Sequence, residues 1–158
     1  MHSPAFMQYS PTSMRLARNA HSGQTYGDFD YFEHHVEGVV QIARALHHRM
    51  GSPRRLDLVL DAAYLHDTIE DSSYTLDDLR ASGIAEQVIA AVGLLTKPEN
   101  FNKKTDLIPY LREISKNELA RLVKMADITF NMTSCLLEEN REKATAYFQQ
   151  LEFLAKNH

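Results

Sequence analysis

The sequence predicts an all-α, single-domain bundle of about seven or eight helices, on three observations. Apolar residues recur at three- and four-residue spacing along most of the chain. Ser, Thr and Asn caps and Gly or Pro stops punctuate these runs. No stretch of useful length alternates with the period of two that a half-buried strand requires. A chain of 158 residues can close one hydrophobic core without staples, and no linker, repeat or low-complexity tract divides it. Residues 1–12 therefore read as a flexible lead-in and 13–158 as one domain.

The elements follow in order. Ser13 precedes a short helix from Met14 to Ala20 that ends near Ser22 and Gly23, and Gly27 lies in a loop. From Tyr31 to Met50, Phe32, Val36, Val39, Val40, Ala43 and Leu46 hold helical spacing until Gly51 and Pro53 stop the run. A third helix is expected from about Arg54 to Glu70, nearly all apolar between Leu56 and Leu65, as a central buried helix would be. Thr75 caps a helix with Asp77 and Asp78 in its first turn, and Ser82–Gly83 closes it. Helices are then expected over Ile84–Leu95, Asp106–Ser115 and Glu118 to about Leu137, with a polar loop over Lys97–Thr105 and a last helix after the cap Asn140.

Composition narrows the function classes. With 44% hydrophobic and 24% charged residues the chain reads as an ordinary globular protein. A net charge of −4 argues against general nucleic-acid binding, which calls for a basic face. No apolar run approaches the roughly 20 residues of a membrane span, and Met1–Met14 lacks the basic-then-apolar order of a secretory signal. Cys135, the single cysteine, has no internal disulfide partner, so a reducing cytoplasm is the expected compartment.

Three segments carry chemistry. His66, Asp67, Glu70 and Asp71 end the apolar third helix, where the three- and four-residue spacing makes Glu70 a neighbour of His66 and Asp67, and Asp71 a neighbour of Asp67. That much charge beside a core calls for a compensating cation. Asp127 lies in the apolar run from Leu122 to Met132, and Asn131 follows one turn later on the same face. Early in the second helix, either His34 or His35 can join them. Such imidazoles and carboxylates suit a hard or borderline divalent ion, Mn²⁺, Fe²⁺, Mg²⁺ or Zn²⁺, with open positions for water and phosphate.

The order His…His-Asp…Asp on helices resembles the HD phosphohydrolase superfamily. More narrowly, Ala20-His21-Ser22-Gly23-Gln24, Tyr31 to His34, Leu65 to Asp71, Leu95-Thr96-Lys97 and Val123 to Asp127 with Asn131-Met132 are similar to the hydrolase domain of the RelA/SpoT alarmone enzymes of the stringent response and to the small stand-alone alarmone hydrolases. The resemblance spans roughly residues 14–150, with the motifs in the same order. It implies a metal set of His34, His66, Asp67 and Asp127 holding one divalent ion per chain, Mn²⁺ foremost. It also implies Glu70 and Asp71 as the catalytic pair at the attacking water. Substrate contacts would fall to Asn131 at the ribose, Tyr147 at the nucleotide, and Lys97, Lys103 and Lys104 at phosphates. His35 stands where the family usually has proline.

This sequence also departs from the pattern. Tyr26 holds the position of an arginine that packs on the guanine, and Ile128, Thr129 and Phe130 replace Arg-Leu-His after Ala126-Asp127. The chemistry is thus better supported than the base selectivity. The expected activity is removal of the 3′-diphosphate from guanosine 3′,5′-bis(diphosphate). The alternatives are an HD phosphohydrolase acting on another nucleotide or NADPH, and a binding module that senses an alarmone without turnover. The partner is a small nucleotide, not a nucleic acid or a membrane. The sequence leaves the oligomeric state open, a homodimer included.

Overall fold

A computed structural model describes residues 11–157. Most of the expected lead-in, residues 1–10, lies outside the described residues, while Pro11 and Thr12 already belong to the first helix. The chain forms α1 (Pro11–Ala20), a small antiparallel pair β1 (Thr25–Tyr26) and β2 (Phe29–Asp30), and a π-helical segment (Tyr31–Val36) that runs into α2 (Glu37–Met50). It continues with α3 (Leu56–Leu65), α4 (Thr68–Asp71), α5 (Leu76–Ala81), α6 (Glu86–Leu95), α7 (Lys103–Ser115), α8 (Glu118–Leu137) and α9 (Arg141–Lys156). The all-α expectation holds. Among the described residues, no helix is long and apolar enough to cross a membrane.

Two helices form the centre. Every residue from Val59 to Leu65 in α3 is buried, as the apolar run foretells, and so is every residue from Leu119 to Ile128 in α8. α8 packs against α2, α3, α6, α7 and α9, so charged groups on its buried stretch face protein on all sides. The close approach of α2 to α8 rests on Gly38, where an added Cβ would run into the Phe130 ring. Gly38→Ala is therefore expected to destabilise the fold by about 1–3 kcal/mol, read as a lower midpoint of chemical unfolding.

Four local departures from the expected pattern bear on function. Gly27, with φ of +59°, turns β1 back onto β2, a pairing too short to show as alternation. The first turn of the second helix is π rather than α, capped by Asp30 accepting from the Glu33 N–H at 2.9 Å. The expected continuous helix Arg54–Glu70 breaks after Leu65: Asp67 has φ −107° and ψ 0°, and one turn resumes as α4. His66 Nδ1 lies 2.7 Å from the Ala63 carbonyl, the acceptor that a continuing helix would give to the Asp67 N–H. Finally, α7 starts at Lys103 instead of Asp106, because Asn102 caps it by accepting from the Lys104 N–H.

Candidate metal centre and its cavities

The π segment, the α3–α4 break and the middle of α8 deliver four side chains to one place. His35 Nε2 lies 3.4 Å from both Asp67 Oδ2 and Asp127 Oδ1. His66 Nε2 lies 2.9 Å from Asp67 Oδ2 and 3.8 Å from Asp127 Oδ1. One ligand atom each from His35, His66 and Asp127 falls within 4.8 Å of the others. Metal–ligand bonds of about 2.1 Å set ligand atoms roughly 3–4 Å apart, so these spacings fit one ion.

The surroundings hold the acids in place. Tyr31 donates its hydroxyl hydrogen to Asp67 Oδ2 at 2.6 Å. Lys124 Nζ and Asn131 Nδ2 donate to the two oxygens of Asp127 at 2.8 and 2.9 Å. Because the Ala63 carbonyl only accepts, His66 carries a proton on Nδ1, which leaves Nε2 as the nitrogen that would bind a cation once its own proton is displaced. Although Asp67 Oδ2 is 2.9 Å away, that buried Nε2 makes no well-formed hydrogen bond, and a cation would satisfy it.

Electrostatics points the same way. Burial opposes charge on His66, yet Asp67 and Asp127 raise its pKa to about 9. His35 is likewise raised, its burial outweighed by the same two carboxylates. Burial would also raise Asp67 and Asp127, but His66 and His35 hold Asp67 well below the usual carboxylate range, and Lys124 with His35 does so for Asp127. Buried Asp127 and half-buried Asp67 draw positive charge onto both imidazoles, an electrostatic setting that also favours a bound cation.

One of the expected ligands is corrected. His34 is turned away from the acids and stacks on Phe29, ring centroids 4.3 Å apart, whereas His35 enters the cluster. The π turn adds a residue to the opening of the helix, so a one-residue shift results. The signal was in the sequence: His35 shares the buried face of Phe32 and Val39, three and four residues away. His66, Asp67 and Asp127 are brought together as expected.

Four of the six expected substrate contacts line one cavity of about 290 Å³, while Lys104 is exposed and outside its lining. Lys97, Lys103, Asn131 and Tyr147 surround it with Asp127, Lys124 and Tyr110. Lys124 and Tyr110 were not singled out from the sequence. Lys124 reads there as part of a polar stripe, yet it is buried, ion-paired to Asp127 and held firmly protonated by that pairing against the cost of burial. Its ammonium and that of Lys97 both approach the Tyr110 ring, at 5.7 and 5.8 Å from the centroid.

Tyr26 also stands elsewhere. Its ring stacks on His35, 5.1 Å between centroids and 6° from parallel, and its hydroxyl donates to Asn131 Oδ1 at 2.9 Å. It lines a second cavity of about 440 Å³ with Asp28, Phe29, His34, Phe130, Ser134 and Glu138 among others. Tyr26 and Asn131 thus stand between the cluster and that aromatic cavity.

Glu70 and Asp71 close α4 at the rim. Glu70 Oε1 accepts the Lys97 N–H at 2.7 Å, tying α4 to the lysine-bearing loop. Asp71 is solvent-facing on one side, yet lost solvation on the other and the charges of Asp67 and Glu70 push it up to about 6.

Residues 32–132 match the HD domain family. A guanosine-3′,5′-bis(diphosphate) 3′-pyrophosphohydrolase of Vibrio cholerae is 35% identical over 132 aligned positions, covering 74% of this chain and 16% of its own. The chain therefore spans about a sixth of that relative's length. A solved structure of a metazoan ortholog of SpoT, described as hydrolysing ppGpp and acting in starvation responses, superposes with a TM-score of 0.69 over 94% of this chain and 88% of its own, at 20% identity. The family match covers well over half of the sequence and encloses His35, His66, Asp67 and Asp127, so this chain belongs to the HD domain family.

Proposed function

We propose that the protein is a metal-dependent phosphohydrolase that removes the 3′-diphosphate from a purine nucleoside 3′,5′-bis(diphosphate), guanosine 3′,5′-bis(diphosphate) foremost. The observation that carries this reading is Asp127, which belongs both to the His35–His66–Asp67–Asp127 cluster and to the wall of a cavity lined by three lysines. Phosphate chemistry needs these two features side by side: a cation site, and ammonium groups for oxygens that the cation does not reach. The activity named for the Vibrio cholerae relative supports the choice of substrate.

His35, His66, Asp67 and Asp127 would hold one divalent ion. With its mixed nitrogen and oxygen donors and open positions the set suits Mn²⁺. When bound, such an ion lowers the pKa of a water and offsets phosphate charge. The chain's own residues do the rest. Asp71, with its pKa at about 6, is a carboxylate at neutral pH and accepts the proton of the attacking water. Glu70, anchored to the Lys97 backbone, keeps that loop against the rim. Lys97, Lys103 and Lys124 take the diphosphate oxygens, while Asn131 and Tyr147 border the same space and meet the sugar.

The base is assigned to the aromatic cavity beside Tyr26, Phe29, His34 and Phe130, next to the lysine-lined one and bridged to it by the Tyr26–Asn131 hydrogen bond. Stacking tolerates any purine, and hydrogen bonds discriminate more strongly. The polar groups here include Asp28, Ser134 and Glu138, and acceptors of this kind serve the amino group of guanine and adenine alike. The guanosine and adenosine bis(diphosphates) are therefore expected to differ by less than about tenfold in kcat/KM, or about 1.4 kcal/mol. Steady-state kinetics with Mn²⁺ on both substrates tests this. A strong guanine preference would contradict the shared-acceptor account, and turnover of neither would redirect the assignment to another nucleotide.

A further inference from the structure

Gln24 uses every polar atom it has. Its backbone N–H donates to the His21 carbonyl at 3.0 Å, and its own carbonyl accepts the Tyr31 N–H at 3.0 Å, where the π segment begins. Its side-chain Nε2 donates to the Ala20 carbonyl at 3.2 Å and to the Asp71 carbonyl at 2.8 Å. The remaining atom, Oε1, lies 2.8 Å from His21 Nδ1. An amide oxygen only accepts, so His21 carries its proton on Nδ1 and its buried Nε2 is bare. Burial keeps this imidazole neutral by lowering its pKa. The ring also packs against Tyr31, 4.7 Å between centroids, and Tyr31 in turn holds Asp67.

The Asp71 carbonyl needs such a partner. α4 is four residues long, too short to hold itself, and Ser72 leaves it in extended conformation. The last carbonyls of a helix have no partner within it. The bond from Gln24 crosses 47 residues of sequence to supply one, at the residue whose carboxylate feels the charges of Asp67 and Glu70. One side chain thus ties the end of α1 to the end of α4, while its backbone starts the segment that carries His35.

We propose that Gln24, oriented by His21, is a positioning residue that sets the Asp71 carboxylate for its role in turnover; this rests on the hydrolase reading above. Gln24→Met keeps the length of the side chain and removes its hydrogen bonds, and Gln24→Glu keeps the acceptor for His21 while losing both donors. Both variants are expected to bind as much Mn²⁺ as the parent, to keep KM within about threefold and to lose at least about tenfold in kcat, up to the 10²- to 10⁴-fold that a positioned acid or base contributes. Amide hydrogen exchange over residues 68–72 should quicken in the same variants, a readout that needs no turnover. Unchanged kcat with unchanged exchange would overturn the proposal. So would a loss of metal in both variants, which would place Gln24 in service of the ligands instead. If the parent hydrolyses no nucleotide, the hydrolase reading fails, and exchange over residues 68–72 alone then decides whether Gln24 braces α4.

Discussion

Replacing His35 by alanine is expected to empty the metal site, while His34→Ala leaves it filled. His35 Nε2 faces both carboxylates at 3.4 Å, whereas His34 is stacked on Phe29 at the wall of the neighbouring cavity. Changes in the outer shell already cost about 10- to 100-fold in metal affinity, and loss of a direct ligand should exceed that. Asp67→Ala and Asp127→Ala should match His35→Ala, with an added cost at Asp127, because Lys124 would be left buried without its counter-charge. Elemental analysis after gentle purification, with circular dichroism as a check on folding, separates these cases. A metal-free His34→Ala with a loaded His35→Ala would invert the assignment.

Asp71→Asn is expected to lose about 10²- to 10⁴-fold in kcat with the metal and the fold retained. Asparagine keeps the shape but cannot take a proton from water, and the backbone bond from Gln24 to the Asp71 carbonyl is untouched by the change. The pH dependence follows from the direction of the shift. With its pKa at about 6, Asp71 is protonated below that value, so the parent should lose activity as pH falls through 6, and Asp71→Asn should be flat across the same window. Glu70→Gln should fall less. Its carbonyl-type oxygen still accepts the Lys97 N–H, and only the charge facing the Lys97 ammonium at 3.8 Å is lost. Full activity in Asp71→Asn would remove the assigned base from the mechanism.

Much of this site could be read from the chain because it lies where charge interrupts apolar periodicity. His66 and Asp67 follow a largely apolar run, and Asp127 interrupts another, so their place at the core and their need for a cation are both visible in the pattern. What escaped depends on local geometry that periodicity does not encode. The π turn at Tyr31–Val36 shifts the phase by one residue and exchanges His34 for His35. The break at Asp67 turns one expected helix into two, because a side chain competes for a backbone carbonyl. Lys124 looks solvated when read along one helix, and becomes a buried partner only when α7 and α9 cover it. Tyr26 occupies the arginine position of the resembling family, but its stacking on His35 and its bond to Asn131 arise from residues far away in the chain.

The most direct test of the account is the product released from guanosine 3′,5′-bis(diphosphate) by the Mn²⁺-loaded protein, resolved by ion-exchange chromatography. The account predicts pyrophosphate and guanosine 5′-diphosphate in equal amounts, no product when the metal is chelated first, and none from Asp127→Ala. A protein that carries its metal, stays folded and releases no pyrophosphate from either the guanosine or the adenosine compound would contradict it.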